Sequence, residues 1–421
     1  MALRGSLAPT QLPVQAAPLK IAHHIGAMPP VGSRLLATQV KAARLRGVDV
    51  LPLMPYAERA PSPEAVEAVV REVRLNREAP SRGLAELLEV VADRVGAEIG
   101  QTVDPEAEVL ITNGSMQALN LVFRAILDPG DEVIIPAPCY FFGGCVEMAG
   151  GRPVHVPMNE AADYAWDVER IAAAVTPRAV AIVVNTPVNP TGVVLDQGTL
   201  RAIVDLADRH DLLIVSDESY DTMVYDGRRH VSCASIEGGA SRTVLIRSFT
   251  KSFAMPAWRV GYIVAPPSVI DACTKAMEWE QLHGSHVAQA GAAAAMRHPV
   301  YPGDSMAREF EQLRDVIHPF VSSDRPLHAL KPAGGPFVFI NVSQVFDSST
   351  QASAALLDAG IPTTAGHFCR SDRHVRMAFG ASPEVLREAG RRIADVVAAT
   401  TNGQPVRAEQ AANRRAVLSR M

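Results

Sequence analysis

The segment IRSFTKSFAMPAWRVGY, residues 246–262, sets Lys251 among small and apolar neighbours, with Ser248 three residues before it and Arg259 eight after it. Two apolar runs overlap it, TVLIRSF (243–249) and RVGYIVAP (259–266), and their composition is that of buried strands. Most lysines are solvated surface charges, so this one takes its meaning from what the rest of the chain sets beside it.

Four runs of the same kind come earlier: EVLITNG (108–114), DEVIIPAP (131–138), AVAIVVNTP (179–187) and DLLIVSDES (211–219). Continuous apolar strands alternating with helical periodicity predict an α/β fold with a mostly parallel central sheet covered by helices on both faces. One of the intervening helices is QGTLRAIVDLADRH (197–210), where Leu200, Ile203, Val204 and Ala207 share a face. The two ends of the chain read differently. Residues 1–60 hold an amphipathic segment, SRLLATQVKAARLRG, and a proline-broken run, LPLMPYAERAPSP, while residues 303–400 carry helices and a strand pair, PFVFINV and HVRMAFG. The expected organisation is a large domain over residues 61–302, a smaller α+β domain built from residues 1–60 and 303–400, and a polar tail over 401–421.

Composition narrows the function. With 421 residues, 48% of them hydrophobic and 20% charged, the chain can bury a sizeable core. A formal net charge of −5 supplies no basic field for nucleic acid, so the expected partner is a small molecule. The five cysteines, Cys139, Cys145, Cys233, Cys273 and Cys369, show no CxxC spacing; this argues against a disulfide framework or a thiolate metal site and fits a reducing cytoplasm. No run reaches the ~20 apolar residues that span a bilayer.

Ligands of parallel α/β sheets bind at the carboxyl ends of the strands, and here those ends turn polar. EVLIT is followed by Asn113-Gly114-Ser115-Met116-Gln117 and a helical run, which suits a phosphate or is an ordinary N-cap at Ser115. DEVIIPAP is followed by Cys139-Tyr140-Phe141-Phe142, an aromatic face for a flat ring or a piece of core. AIVVNTP leads into the turn Val188-Asn189-Pro190-Thr191-Gly192. LLIVS leads into Asp217-Glu218-Ser219-Tyr220, whose carboxylates need a cationic or hydrogen-bonding partner if they are buried.

Taken with Lys251, the motifs NTPVNPTG, SDESYDTMVYDG and SFTKSFAMPAWRVGY resemble the fold-type I pyridoxal-phosphate enzymes, specifically the class I/II, aspartate aminotransferase-like aminotransferases, from about residue 28 to 398. The resemblance implies pyridoxal 5′-phosphate as cofactor, with Lys251 forming the Schiff base and shuttling a proton. It implies Asp217 on the pyridinium nitrogen, Asn189 and Tyr220 on the ring oxygen, and Tyr140 on the ring face. Gly114, Ser115, Met116, Ser248 and Arg259 would cradle the phosphate, and Arg376 would clamp the substrate α-carboxylate, with Asn189 at its side. A homodimer is implied as well, with the segments around Glu78 and Glu280–His286 at the neighbour's site. No metal is expected.

Two departures bear on substrate. Where the family has a glycine and an acidic-Pro-Asp turn, this chain has Tyr56-Ala57-Glu58-Arg59-Ala60; where a tyrosine opens the later motif, it has Glu78 in EAPSRGLAEL. Tyr56, Glu58 and Glu78 are therefore candidate substrate residues, and the two glutamates would favour a basic, arginine-like amino acid and disfavour aspartate. The leading function is transamination between an α-amino acid and a 2-oxo acid. The alternative keeps the cofactor for elimination, replacement, cyclisation or oxidation in specialised amino-acid metabolism. A ligand sensor fused to a DNA-binding domain is disfavoured by the few residues that precede the similarity.

Overall fold

The computed structural model describes residues 20–53, 60–298 and 302–402. Seven strands form the central sheet: β1 (Val109–Thr112), β2 (Glu132–Ala137), β3 (Arg152–Pro157), β4 (Ala179–Asn185), β5 (Leu213–Asp217), β6 (Thr243–Ser248) and β7 (Gly261–Val264), in the order β1-β7-β6-β5-β4-β2-β3. The pairs from β3 through β2, β4 and β5 to β6 are parallel, and β7 runs antiparallel to both β6 and β1. The sheet is thus mostly parallel, as the apolar runs predict.

Both faces are buried, and the two-residue strand period divides the side chains between them. Val133 and Ile135 of β2 and Ala181 and Val183 of β4 join one core with Leu119, Val122 and Phe123 of the helix Ser115–Ile126. Their neighbours Ile134, Ile182 and Val184 join a core on the other face with Leu200, Ile203 and Val204 of the helix Gln197–Arg209. Each fully buried branched side chain contributes about 1.5–3 kcal/mol. The amphipathic face read between residues 197 and 210 is the face that packs. β3 is absent from the sequence reading because Arg152, Pro153 and Pro157 interrupt its apolar character; the outermost position in the sheet tolerates them.

A second, antiparallel sheet orders β8 (Phe337–Asn341), β9 (Thr364–Ala365) and β10 (His374–Ala378) as β8-β10-β9. Its core takes Phe310, Ile317, Leu356, Leu386 and Ile393 from the surrounding helices, and also Leu51 and Leu53 from near the other end of the chain. The helix Gly32–Leu45 corresponds to the amphipathic segment read from sequence. Tyr56, Glu58 and most of the 401–421 tail lie outside the described residues.

Polarity of the strands decides where the site forms. β1, β2, β4, β5 and β6 all end at the same edge of the sheet. Because β7 runs the other way, it is its start, with Arg259 and Gly261, that reaches this edge. Gly261 lies between Thr112 of β1 and Ser248 of β6, and a Cβ there would sit 2.8 Å from the Gly114 carbonyl carbon.

Candidate active site

A cavity of about 690 Å³ opens over that edge. Its polar end carries Ser115, Asn185, Asn189, Asp217, Tyr220, Ser248, Lys251, Arg259 and Arg376, which come from six separate stretches of the chain. Tyr140 and Met116 line it too.

Lys251 rides on a single helical turn, Phe249–Ser252, directly after β6. Ser248 caps that turn by accepting from the Thr250 amide at 3.1 Å. The Lys251 ammonium lies 5.8 Å from the Tyr220 ring centroid. Burial, together with the nearby Arg376 and Arg259 guanidiniums, outweighs the attraction of Asp217 and lowers its pKa to about 8. Near neutral pH such a lysine keeps a usable fraction of free amine.

Asp217 ends β5 and is 4% exposed. Its Oδ1 accepts from the Ser219 amide at 3.0 Å. Burial raises its pKa, against the Ser219 hydrogen bonds and Lys251, and the neighbouring Glu218 adds to the rise. Burial also raises the Tyr220 phenol, despite Arg376 nearby.

Arg376, on β10, reaches across from the second sheet. Its guanidinium carbon lies 4.1 Å from the Tyr140 ring centroid and 4.3 Å from that of Phe337. Nη1 donates to Asn189 Oδ1 at 2.9 Å, and Thr364 Oγ1 is 3.5 Å from Nη2. Two aromatic faces and two hydrogen bonds hold the planar fork in one orientation, a geometry that recognises a carboxylate. Asn189 Oδ1 is engaged in this way, leaving its amide nitrogen as the donor. The Tyr140 hydroxyl accepts from the Ser33 amide at 2.9 Å, which ties the helix Gly32–Leu45 to the cavity rim.

Arg259 has the left-handed φ of +56° and an exposed side chain whose Nη1 donates to the Pro256 carbonyl at 3.2 Å. Gly114 explains its own identity. Its φ is +76°, and a Cβ there would sit 2.5 Å from Arg259 Nη2. The Gly114 amide is spent on the Thr112 carbonyl at 2.9 Å, so this residue contributes close approach rather than a free donor. Ser115 is the first residue of the helix and Gly114 its N-cap, which replaces the alternative reading of Ser115 as an ordinary cap. A helix start beside an arginine and Ser248 fits a phosphate group. Asp217, buried and opposite Lys251, fits a protonated ring nitrogen. The residues present therefore fit pyridoxal 5′-phosphate in donor type and in charge.

Glu78 is exposed and lies outside this cavity; its carbonyl oxygen is 3.1 Å from His286 Nδ1. Among the described residues, Asp217 is the only carboxylate lining the cavity. The sequence reading missed Asn185, Phe337 and Thr364. Asn185 follows the strand-end rule, and its amide donates to the Asp217 carbonyl at 3.0 Å. Phe337 and Thr364 carry no local signal, since only the pairing of β10 with β8 and β9 brings them beside Arg376. The cavity's other end was equally unreadable: Leu36, Ala37, Val40 and Arg44 of one helix, with Val50, Leu51 and Pro362.

Residues 54–393 match a family described as aminotransferase class I and II. The chain is 34% identical over 386 residues to an aspartate/prephenate aminotransferase of Thermus thermophilus, covering 90% of this chain and 98% of the relative. It is 35% identical over 322 residues to an arginine–pyruvate transaminase of Pseudomonas aeruginosa, covering 74% and 80%. A solved structure of the Thermus thermophilus aspartate aminotransferase with maleate superimposes with a TM-score of 0.84 at 32% identity, over 90% of this chain and all of that one.

Proposed function

The chain belongs to the class I and II aminotransferases, and we propose that it carries out their chemistry through the cavity at the strand ends. It is a pyridoxal-phosphate-dependent aminotransferase that moves an amino group from an α-amino acid to a 2-oxo acid. When bound, the cofactor supplies an electron sink for the bond broken at the substrate Cα. The chain's residues do the rest. Lys251 would hold the cofactor and, with its amine free, would take the proton from Cα at Nζ. Asp217 holds the proton on the ring nitrogen. Asn189 and Tyr220 would donate to the ring oxygen, and Tyr140 would cover the ring. Arg259 and Ser248, with the helix start at Ser115 and Met116 beyond Gly114, take the phosphate. Arg376 takes the substrate α-carboxylate and so aims Cα at Lys251.

The observation that carries this reading is the convergence of Lys251, Asp217, Arg259 and Arg376 on one cavity from four separate segments. The division at residues 61–302 belongs to the same proposal, as does assembly into a homodimer. Val66, Val70 and Val73 form an exposed apolar stripe on the helix Pro63–Val73, and Trp279 is 90% exposed, which is surface suited to a second copy. Such a dimer would bring Glu78 and Glu280–His286 toward the neighbour's cavity. No helix among the described residues is long and apolar enough to cross a membrane. The five cysteines are free and buried, which supports a cytoplasmic setting.

The test is a half-reaction. Purified protein loaded with pyridoxal phosphate is mixed with single amino acids and followed by absorbance, then returned to its starting spectrum with a 2-oxo acid. Conversion to the pyridoxamine form and recovery by the oxo acid are expected. A cofactor that binds without ever accepting an amino group would overturn the reading.

A further inference from the structure

Beneath the cavity, on the reverse face of the same strands, lies a charged cluster centred on the buried Glu218 and Arg247. β5 and β6 change face from one residue to the next. Asp217 and Ser248 line the cavity, whereas Glu218 and Arg247 meet each other on the opposite side. Glu218 has no exposed surface. Its Oε1 accepts from Ser216 Oγ at 2.9 Å and Ser232 Oγ at 2.6 Å. Its Oε2 accepts from Arg247 at 2.9 and 3.2 Å, with His230 Nε2 at 3.0 Å. Arg247, 2% exposed, also pairs with Glu98 of the helix Ala85–Ile99 and with Asp221, 3.3 Å away. Asp221 in turn accepts from Ser252 Oγ at 2.7 Å and lies 3.9 Å from Arg94.

The placement along the chain is the informative part. Glu218 follows Asp217, Arg247 precedes Ser248, and Ser252 follows Lys251. Three groups of the cavity are thus each one residue away from a member of the cluster. A buried ion cluster is a poor device for stability, since apolar side chains of the same volume serve as well or better. Glu98, Glu218 and Asp221 gather around Arg247, with Arg94 and His230 beside them. Burial opposes the Glu218 charge, yet His230 and Arg247 hold its carboxyl at about 2, so the charge is permanent.

We propose that Glu218 is a positioning residue for the reaction. It ties the ends of β5 and β6 together so that Asp217 and Lys251 meet the cofactor in fixed register, and its charge favours the protonated forms of the groups above it. This rests on the cofactor reading given above.

Glu218→Gln tests it, with pyridoxal phosphate as the probe. The readouts are the cofactor dissociation constant, the pH midpoint of the absorbance change of cofactor joined to Lys251, and the melting temperature. Removing a nearby negative charge makes protonated groups more acidic, so the midpoint should move to lower pH, by about one unit for a charge acting across the sheet over roughly 12 Å at an effective dielectric near 20. Cofactor binding should weaken about tenfold. Glu218→Asp, which keeps the charge, should restore the midpoint. A lower melting temperature with unchanged midpoint and affinity would reduce Glu218 to a structural ion pair and overturn the proposal. If Glu218→Gln does not fold, Ser232→Ala carries the test, because it removes one donor and leaves the charge. Affinity should then fall severalfold with the midpoint unmoved, and unchanged affinity would overturn the proposal. Failure of the wild type to bind cofactor at all would instead refute the function itself.

Discussion

The lowered pKa of Lys251 has a consequence for the folding of the cofactor-free protein. In the folded chain the group titrates near 8, against 10.5 for an ordinary lysine. That interval corresponds to about 3.4 kcal/mol at 1.36 kcal/mol per unit. Below pH 8 both the folded and unfolded chains hold the proton, and the folded chain bears the full cost of a charge that is desolvated and faces Arg376 and Arg259. Between 8 and 10.5 the unfolded chain binds more protons than the folded one, so wild-type stability gains from rising pH across this window. Lys251→Met keeps most of the side-chain volume and loses the titration. Urea unfolding of both cofactor-free proteins at matched concentration, from pH 7 to 9.5, gives the difference between them, in which every other titration cancels. The variant's stability relative to wild type should fall by about 2 kcal/mol between pH 7 and 9.5, since the wild type recovers only the part of the interval above 8. Two parallel curves would mean that Lys251 is solvated and ordinary, and the argument for a poised amine would fail with them.

Arg376→Lys should lower kcat/KM by roughly 30- to 1000-fold, about 2–4 kcal/mol, because an ammonium replaces a fork held between Tyr140 and Phe337; unchanged steady-state kinetics would place the α-carboxylate elsewhere. Gly114→Ala combines a positive φ with a Cβ 2.5 Å from Arg259, so strain of about 1–2 kcal/mol adds to displacement of the arginine. Cofactor affinity should fall at least tenfold by fluorescence titration, and full affinity would remove Gly114 and Arg259 from the phosphate site. Val70→Asp puts a carboxylate in the exposed apolar stripe and should shift sedimentation toward monomer. A dimer of undiminished stability would move the interface off that helix.

Much of the site is legible in the sequence. The apolar runs gave β1, β2 and β4 to β7, and the polar residues at their ends pointed to Asn189, Asp217 and the turn after β1. Strand period is a local property, so a run such as DLLIVSDES already separates Asp217 from Glu218 by face. It does not say which face holds the ligand; the resemblance supplied that choice, and the buried partners of Glu218 account for the other face. The basic-substrate argument from Glu58 and Glu78 shows the opposite limit. Closeness in sequence to a family motif carries no distance, and Glu78 does not line the cavity of its own chain.

By itself, then, the sequence determined the elements, the mostly parallel sheet and the lysine-centred motif set, because each strand, helix and motif is written in a short local run and the alternation of such runs is itself visible along the chain. Tertiary structure decided what meets across the cavity. Arg376 lies 125 residues beyond Lys251, and it lowers the lysine's pKa only because β10 is anchored in a second core that Leu51 and Leu53 help to close. The wall formed by Leu36, Ala37 and Val40 exists for a similar reason. Its helix is amphipathic in any context, but what its apolar face covers is set by the packing of distant segments, and neither helical nor strand periodicity encodes that.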